Sequence, residues 1–86
     1  MITIFTTSDC RYCVMAKRLM DEKGLKYQAL NIQDSSEIMD QFIAKTSGAR
    51  FVPQILVNDT LVGGYDALKV AIETEEFTKL LENNDG

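Results

Sequence analysis

Thr6-Thr7-Ser8-Asp9-Cys10-Arg11-Tyr12-Cys13 holds both cysteines of this 86-residue chain, and its reading decides the fold. Upstream, Ile2-Thr3-Ile4-Phe5 is rich in β-branched and aromatic residues and predicts a strand. Downstream, Met15, Ala16, Leu19 and Met20 recur at helical spacing, with Lys17, Arg18, Asp21 and Glu22 on the other face. A helix is therefore expected over Arg11 to Lys23. Ser8 and Asp9 offer N-cap side chains ahead of it, and Gly24 is its stop. Cys10 thus falls at or just before a first helical turn. The leading N–H groups there have no intrahelical partner, and the aligned peptide dipoles place partial positive charge beside the sulfur. Such a setting favours thiolate: a free cysteine titrates at roughly 8.5, and at helix N-termini the value can fall to ~3.5–7.5. Cys13 lies about one turn on, shares a face with Cys10 and can close a disulfide with it.

Other fates of two cysteines compete with a redox pair. They can be buried and inert. A structural zinc site needs four ligands, and with no histidine the chain could build one only from carboxylates or with a second chain. A structural disulfide closing so small a loop constrains the unfolded state little. The chain carries 13 acidic and 9 basic residues, a net charge of −4, which argues against nucleic acid as a main partner. Lys17-Arg18 is its only adjacent basic pair. No apolar run approaches the ~20 residues of a membrane span, and the strand pattern begins at once, with no charged-then-apolar leader. A cytoplasmic location is expected, where a Cys-x-x-Cys is catalytic more often than structural. The size suits one domain, residues 1–86.

Along the rest of the chain, Lys26 to Ile32 predicts a second strand, with Leu30 and Ile32 on one face and Tyr27 and Ala29 on the other. Ser35 or Ser36 can cap a second helix whose stripe is Ile38, Met39, Phe42 and Ile43, ending at Ser47-Gly48. Met15, Met20 and Met39 are assigned to core packing. Ile55-Leu56-Val57 and Thr60-Leu61-Val62 flank Asn58-Asp59, a two-residue hairpin turn. After Gly63-Gly64 comes a short helix from about Asp66 to Ile72. Thr74 can cap a last helix, with Glu75 and Glu76 in its first turn and Phe77, Leu80 and Leu81 on its buried face. Asn83 to Gly86 is expected to fray. Two strands joined by a helix pair in parallel, and the hairpin adds antiparallel strands. The expected fold class is α/β: a mixed four-stranded sheet flanked by helices, in the order βαβαββα plus a short C-terminal helix.

Three blocks carry a family resemblance. Cys10-Arg11-Tyr12-Cys13 resembles the Cys-Pro-Tyr-Cys of dithiol glutaredoxins. Gly48-Ala49-Arg50-Phe51-Val52-Pro53-Gln54 is similar to their Gly-Ala-Arg-Thr-Val-Pro segment, and Gly63-Gly64-Tyr65-Asp66 to their Gly-Gly-Cys/Phe-Asp/Ser segment. The blocks follow the family's order and spacing over nearly the whole chain. The resemblance implies a minimal thioredoxin-like fold and thiol–disulfide exchange with glutathione as co-substrate and no tightly bound cofactor or metal. It implies Cys10 as nucleophile, Cys13 as resolving thiol and a cis bond before Pro53. It further implies a glutathione site built from Arg11, Tyr12, Arg50, Phe51, Val52, Pro53, Gly64, Tyr65 and Asp66. There helix N–H groups take the γ-glutamyl carboxylate and Asp66 takes the ammonium, or serves as an N-cap.

Implied partners are glutathione and disulfide-containing or glutathionylated proteins, among which ribonucleotide reductase is a common family substrate; the protein is expected to act as a monomer, away from membranes. The departures are specific. Arg11 replaces the proline after the first cysteine; its charge should lower the Cys10 pKa while Asp9 should raise it. Thr7 stands where many relatives have lysine, and Asp40 where they have a glutamine touching the glycyl carboxylate. Arg11 or Arg50 can substitute. Two alternatives follow: a redoxin reduced by thioredoxin reductase, or a glutathione-bridged [2Fe–2S] carrier, which in relatives goes with a residue smaller than Tyr12.

Overall fold

The computed structural model describes residues 1–82, so the expected fray at Asn83 to Gly86 lies outside the described residues. Strand β1 (Ile2–Thr6) leads into helix α1 (Arg11–Glu22), followed by β2 (Gln28–Asn31), α2 (Ser36–Thr46), β3 (Gln54–Val57), β4 (Thr60–Gly63), α3 (Tyr65–Glu73) and α4 (Glu76–Glu82). The sheet order is β2-β1-β3-β4. β1 runs parallel to β2 and antiparallel to β3, and β3 pairs antiparallel with β4. Such a mixed sheet is the expected one. The hairpin turn also forms as read: Asn58 and Asp59 have φ of 49° and 71°, the doubly left-handed pair that matches strand twist.

Strand alternation divides the interior in two. On one face Ile2, Ile4, Ile55 and Val57 pack with Ala16 and Met20 of α1, Leu68 and Ala71 of α3, and Phe77 of α4. On the other, Phe5 and Leu56 pack with Phe42 of α2, the Phe5 and Phe42 rings meeting edge to face at 5.5 Å. Phe5, Ile4, Met20, Ile55 and Leu68 are fully buried, each worth roughly 1.5–3 kcal/mol relative to exposure.

The helix ends depart from expectation in instructive ways. α1 is capped neither by Ser8 nor by Asp9: Cys10 itself is the N-cap, and its sulfur accepts the Cys13 N–H. Ser8 is drawn off by the neighbouring loop, where its N–H donates to Gln33 Oε1 at 3.0 Å and its Oγ accepts from Asn31 Nδ2 at 3.2 Å. α2 is capped by Ser35, whose Oγ accepts from the Ile38 N–H at 3.2 Å. Thr74 closes α3 instead of opening α4, because its hydroxyl donates back to the Val70 carbonyl at 2.8 Å. Glu75, with φ of 65°, stands outside the first turn of α4, which starts at Glu76. β2 is shorter than the expected Lys26–Ile32, although the Ile32 N–H still reaches Thr6 O at 2.9 Å. Of the methionines assigned to the core only Met20 is sealed; Met15 and Met39 are exposed.

Candidate active site

The end of β1 and the start of α1 fix the two cysteines. Cys10 has extended backbone (φ −112°, ψ 106°), and the chain turns helical at Arg11. One turn on, the Cys13 N–H points back at Cys10 Sγ from 3.0 Å. Cys10 and Cys13 are joined as a disulfide with a Cα–Cα distance of 5.1 Å, inside the span a disulfide tolerates. The sulfur thus fills the place of a capping oxygen. The Cys13 N–H and the start of α1 both converge on this sulfur. No acidic residue lies in the first turn of α1, and Asp9 stands just ahead of the N-cap.

Burial separates the two sulfurs. Cys13 is 1 % exposed, sealed on the sheet side of α1, whereas Cys10 at the helix mouth is half-buried. Of the two sulfurs, Cys10 is the one open to solvent.

The loop between α2 and β3 approaches from the other side. α2 ends at Ser47 in the left-handed region, and the buried Thr46 hydroxyl donates to Phe42 O at 2.6 Å and accepts from the Ala49 N–H at 3.1 Å. The buried Gln54 side chain donates to Phe51 O at 3.2 Å. Between these ties the Val52–Pro53 bond is cis, and Val52 O lies 3.6 Å from Cys10 Sγ.

Seven of the residues implied by resemblance converge. Tyr12, Phe51, Val52, Pro53, Gly64, Tyr65 and Asp66 line one pocket of about 360 Å³. Tyr12 and Tyr65 face each other with ring centroids 5.9 Å apart, and Tyr12 is half in solvent rather than in the core. Gly64 is the N-cap of α3 and supplies no side-chain cap, so the leading N–H groups of that helix are left for an anion. Asp66 sits inside the first turn and is not the N-cap. A Cβ at Gly64 would press on the exposed Phe51 ring, meeting Cε2 at 3.2 Å, with Pro53 O in ordinary contact at 3.5 Å.

Two expected members stand apart from this pocket. Arg11 is exposed on the first residue of α1 and lines neither neighbouring hollow, and Arg50 lines the adjacent groove with Phe51 and Val52. Sequence reasoning missed Ala67, which completes the pocket wall one residue beyond the Gly63–Asp66 block. It also missed the loop clamp of Ser8, Asn31 and Gln33, completed by the Gln33 N–H donating to Asn31 Oδ1 at 2.8 Å. That run of polar residues at a strand end was its one signal.

A redox-active Cys-x-x-Cys at the mouth of the first helix of a thioredoxin-like sheet, faced by a cis-proline loop, defines a thiol–disulfide oxidoreductase. The glutaredoxin family profile matches residues 2–62. Glutaredoxin 1 of Rickettsia conorii is 39 % identical over 83 residues, covering 95 % of this chain and 81 % of the relative. The glutaredoxin of Pseudomonas aeruginosa is 37 % identical over 80 residues, covering 93 % and 94 %. This chain belongs to the glutaredoxin family. Among solved structures, the buckwheat glutaredoxin–glutathione complex superposes with a TM-score of 0.80 at 22 % identity, covering 98 % of this chain and 78 % of that one. The glutaredoxin of Brucella melitensis gives 0.75 at 26 %, covering 93 % and 86 %.

Proposed function

We propose that this protein reduces protein disulfides and glutathione mixed disulfides with glutathione as co-substrate. The reading rests above all on one arrangement: a half-buried Cys10 sulfur at a helix start, above a sealed Cys13 and beside a pocket floored by the uncapped N-terminus of α3.

Cys10 thiolate attacks one sulfur of the substrate disulfide; that S–S bond breaks, and the electron pair and then a proton go to the departing thiol. If glutathione remains on Cys10, a second glutathione thiolate attacks its sulfur, releasing glutathione disulfide and Cys10 thiolate. If a protein remains attached, Cys13 attacks Cys10, the protein thiol leaves, and the Cys10–Cys13 disulfide is later reduced by two glutathione molecules. Glutaredoxins poise at about −200 to −230 mV, close to the extracted cytosolic glutathione value of about −220 to −260 mV, so excess glutathione drives reduction. That balance suits a reducing compartment such as the cytoplasm.

In the pocket, the γ-glutamyl carboxylate faces the α3 N–H groups, Asp66 takes the ammonium, and Tyr12 and Phe51 flank the tripeptide. The Val52 backbone pairs with the substrate's extended chain as an added strand does. Ribonucleotide reductase is one protein of the class that this chemistry serves. The test is turnover of a glutathione mixed disulfide: Cys10→Ser abolishes it and Cys13→Ser largely spares it. Equal loss in both variants refutes the single-cysteine route. Incubating oxidised protein separately with glutathione and with thioredoxin reductase, and counting thiols, identifies the reductant; thiols formed only with the reductase refute glutathione dependence.

A further inference from the structure

Phe51 and Val52 line two hollows, the pocket above and a second groove of about 470 Å³ against α2. The second is walled by Ile32, Met39, Phe42 and Ile43, and among the described residues Arg50 is the one charged residue on its rim. Phe42 turns into the core, but Phe51 is 64 % exposed, Ile43 49 % and Met39 36 %. This is apolar surface that the fold does not consume. It is also continuous with the point where any substrate sulfur must arrive, because Val52, common to both hollows, lies beside Cys10.

We propose that this groove takes an apolar side chain flanking the reacting cysteine of an extended polypeptide disulfide, with Arg50 meeting an acidic side chain or chain-terminal carboxylate beside it. A chain paired along Val52 sends successive side chains to opposite sides, and pockets for them set specificity while the backbone bonds supply affinity. The inference rests on the proposed glutathione reading. With the γ-glutamyl end at Gly64 to Asp66, glutathione presents to this groove only a glycyl residue, which has no side chain to bury. Thr7, at the far rim, and the exposed Asp40 of α2 add no cation there. The apolar walls therefore discriminate by side chain and not by charge alone.

The test uses two probes, glutathione and γ-glutamyl-cysteinyl-leucine, each disulfide-linked to the same reporter thiol. Cys10 thiolate attacks the peptide sulfur and releases one reporter thiol, and glutathione supplied in excess then takes the peptide off Cys10 as a mixed disulfide, which completes the turnover. Burying the leucyl side chain in a half-open groove raises kcat/KM about tenfold over the glycyl probe. Ile43→Asn and Met39→Asn bring the ratio to about one, while Glu22→Gln, exposed at the end of α1 far from the cysteines, leaves both rates as they were. Circular dichroism melts of each variant establish that it is folded. Equal kcat/KM for the two probes in the parent protein overturns the proposal, as does a preference that survives both α2 substitutions. Sedimentation of the parent protein adds one more outcome: a dimer dissociated by Ile43→Asn, without probe preference, assigns the groove to a second copy and overturns it. If Cys10→Ser still turns over either probe, the underlying catalytic reading is what fails. If only the leucyl advantage is absent, that reading stands and the groove inference alone falls.

Discussion

Adjacent glycines in one turn should fail in opposite ways when each is given a methyl group. Gly63 has φ of +123°, and a Cβ there would approach Ala67 Cβ to 3.0 Å. A side chain in that backbone region costs about 1–3 kcal/mol, and the packing conflict adds roughly 1–3 kcal/mol. Gly63→Ala should therefore lose about 2–6 kcal/mol of stability, a large part of what a small domain has. Gly64 is different. Its φ of −83° suits any residue, and the clash of a new Cβ is with the ring of Phe51, which is exposed enough to swing away. The stability cost of Gly64→Ala is about 1 kcal/mol, mostly the poorer N-cap. The displaced ring, however, is a wall of the site, so KM for a glutathione mixed disulfide should rise about five- to tenfold, equivalent to roughly 1–1.4 kcal/mol of lost binding. Urea unfolding followed by circular dichroism gives the first quantity, and steady-state turnover well below the melting range gives the second. A Gly63→Ala protein as stable as the parent, or a Gly64→Ala protein with unchanged KM, refutes the reasoning.

Two further outcomes follow from packing and charge. Phe77 is 2 % exposed and anchors α4 to the sheet, so Phe77→Ala should cost about 3–5 kcal/mol in urea unfolding, and a loss below 1 kcal/mol contradicts the placement of α4. Tyr27 is held above its ordinary value, first by burial and then by the Asp21 carboxylate nearby. The unfolded chain therefore ionises this phenol first, and the stability it lends is complete below pH ~10 and is lost as pH rises through the folded value. Difference titration of the parent against Tyr27→Phe should show this phenol ionising at higher pH in native than in urea-unfolded protein, and Asp21→Asn should narrow the gap; coincident native and unfolded titrations of Tyr27 contradict the assignment.

What could be read from the chain alone was what depends on neighbours a few residues apart. The helical pitch brings positions 10 and 13 together whatever surrounds them, and the Asn58-Asp59 pair satisfies the left-handed turn that a tight hairpin requires. Alternation in the second strand put Leu30 and Ile32 on one face and Tyr27 on the other, and they pack against the two separate clusters. The helix caps were harder, because several residues competed for each role. Ser8 was spent on Gln33 and Asn31 across the loop, which left Cys10 to cap α1 with its own sulfur, and Thr74 bonded backward to Val70 instead of opening α4.

Nothing local distinguishes Phe42, which enters the core, from Met39 and Ile43, which line a groove, since all three lie on one apolar stripe of α2. The cis bond before Pro53 was available only by likeness to a family. The sequence by itself determined that a strand would deliver two sulfurs to a helix start, because that is covalent spacing and peptide dipoles. Only the tertiary structure decided which sulfur meets solvent and which apolar walls line the hollow beside it. Those are questions of what the sheet and the Ser47–Pro53 loop cover, settled by contacts between residues some forty positions apart, such as Cys10 and Val52.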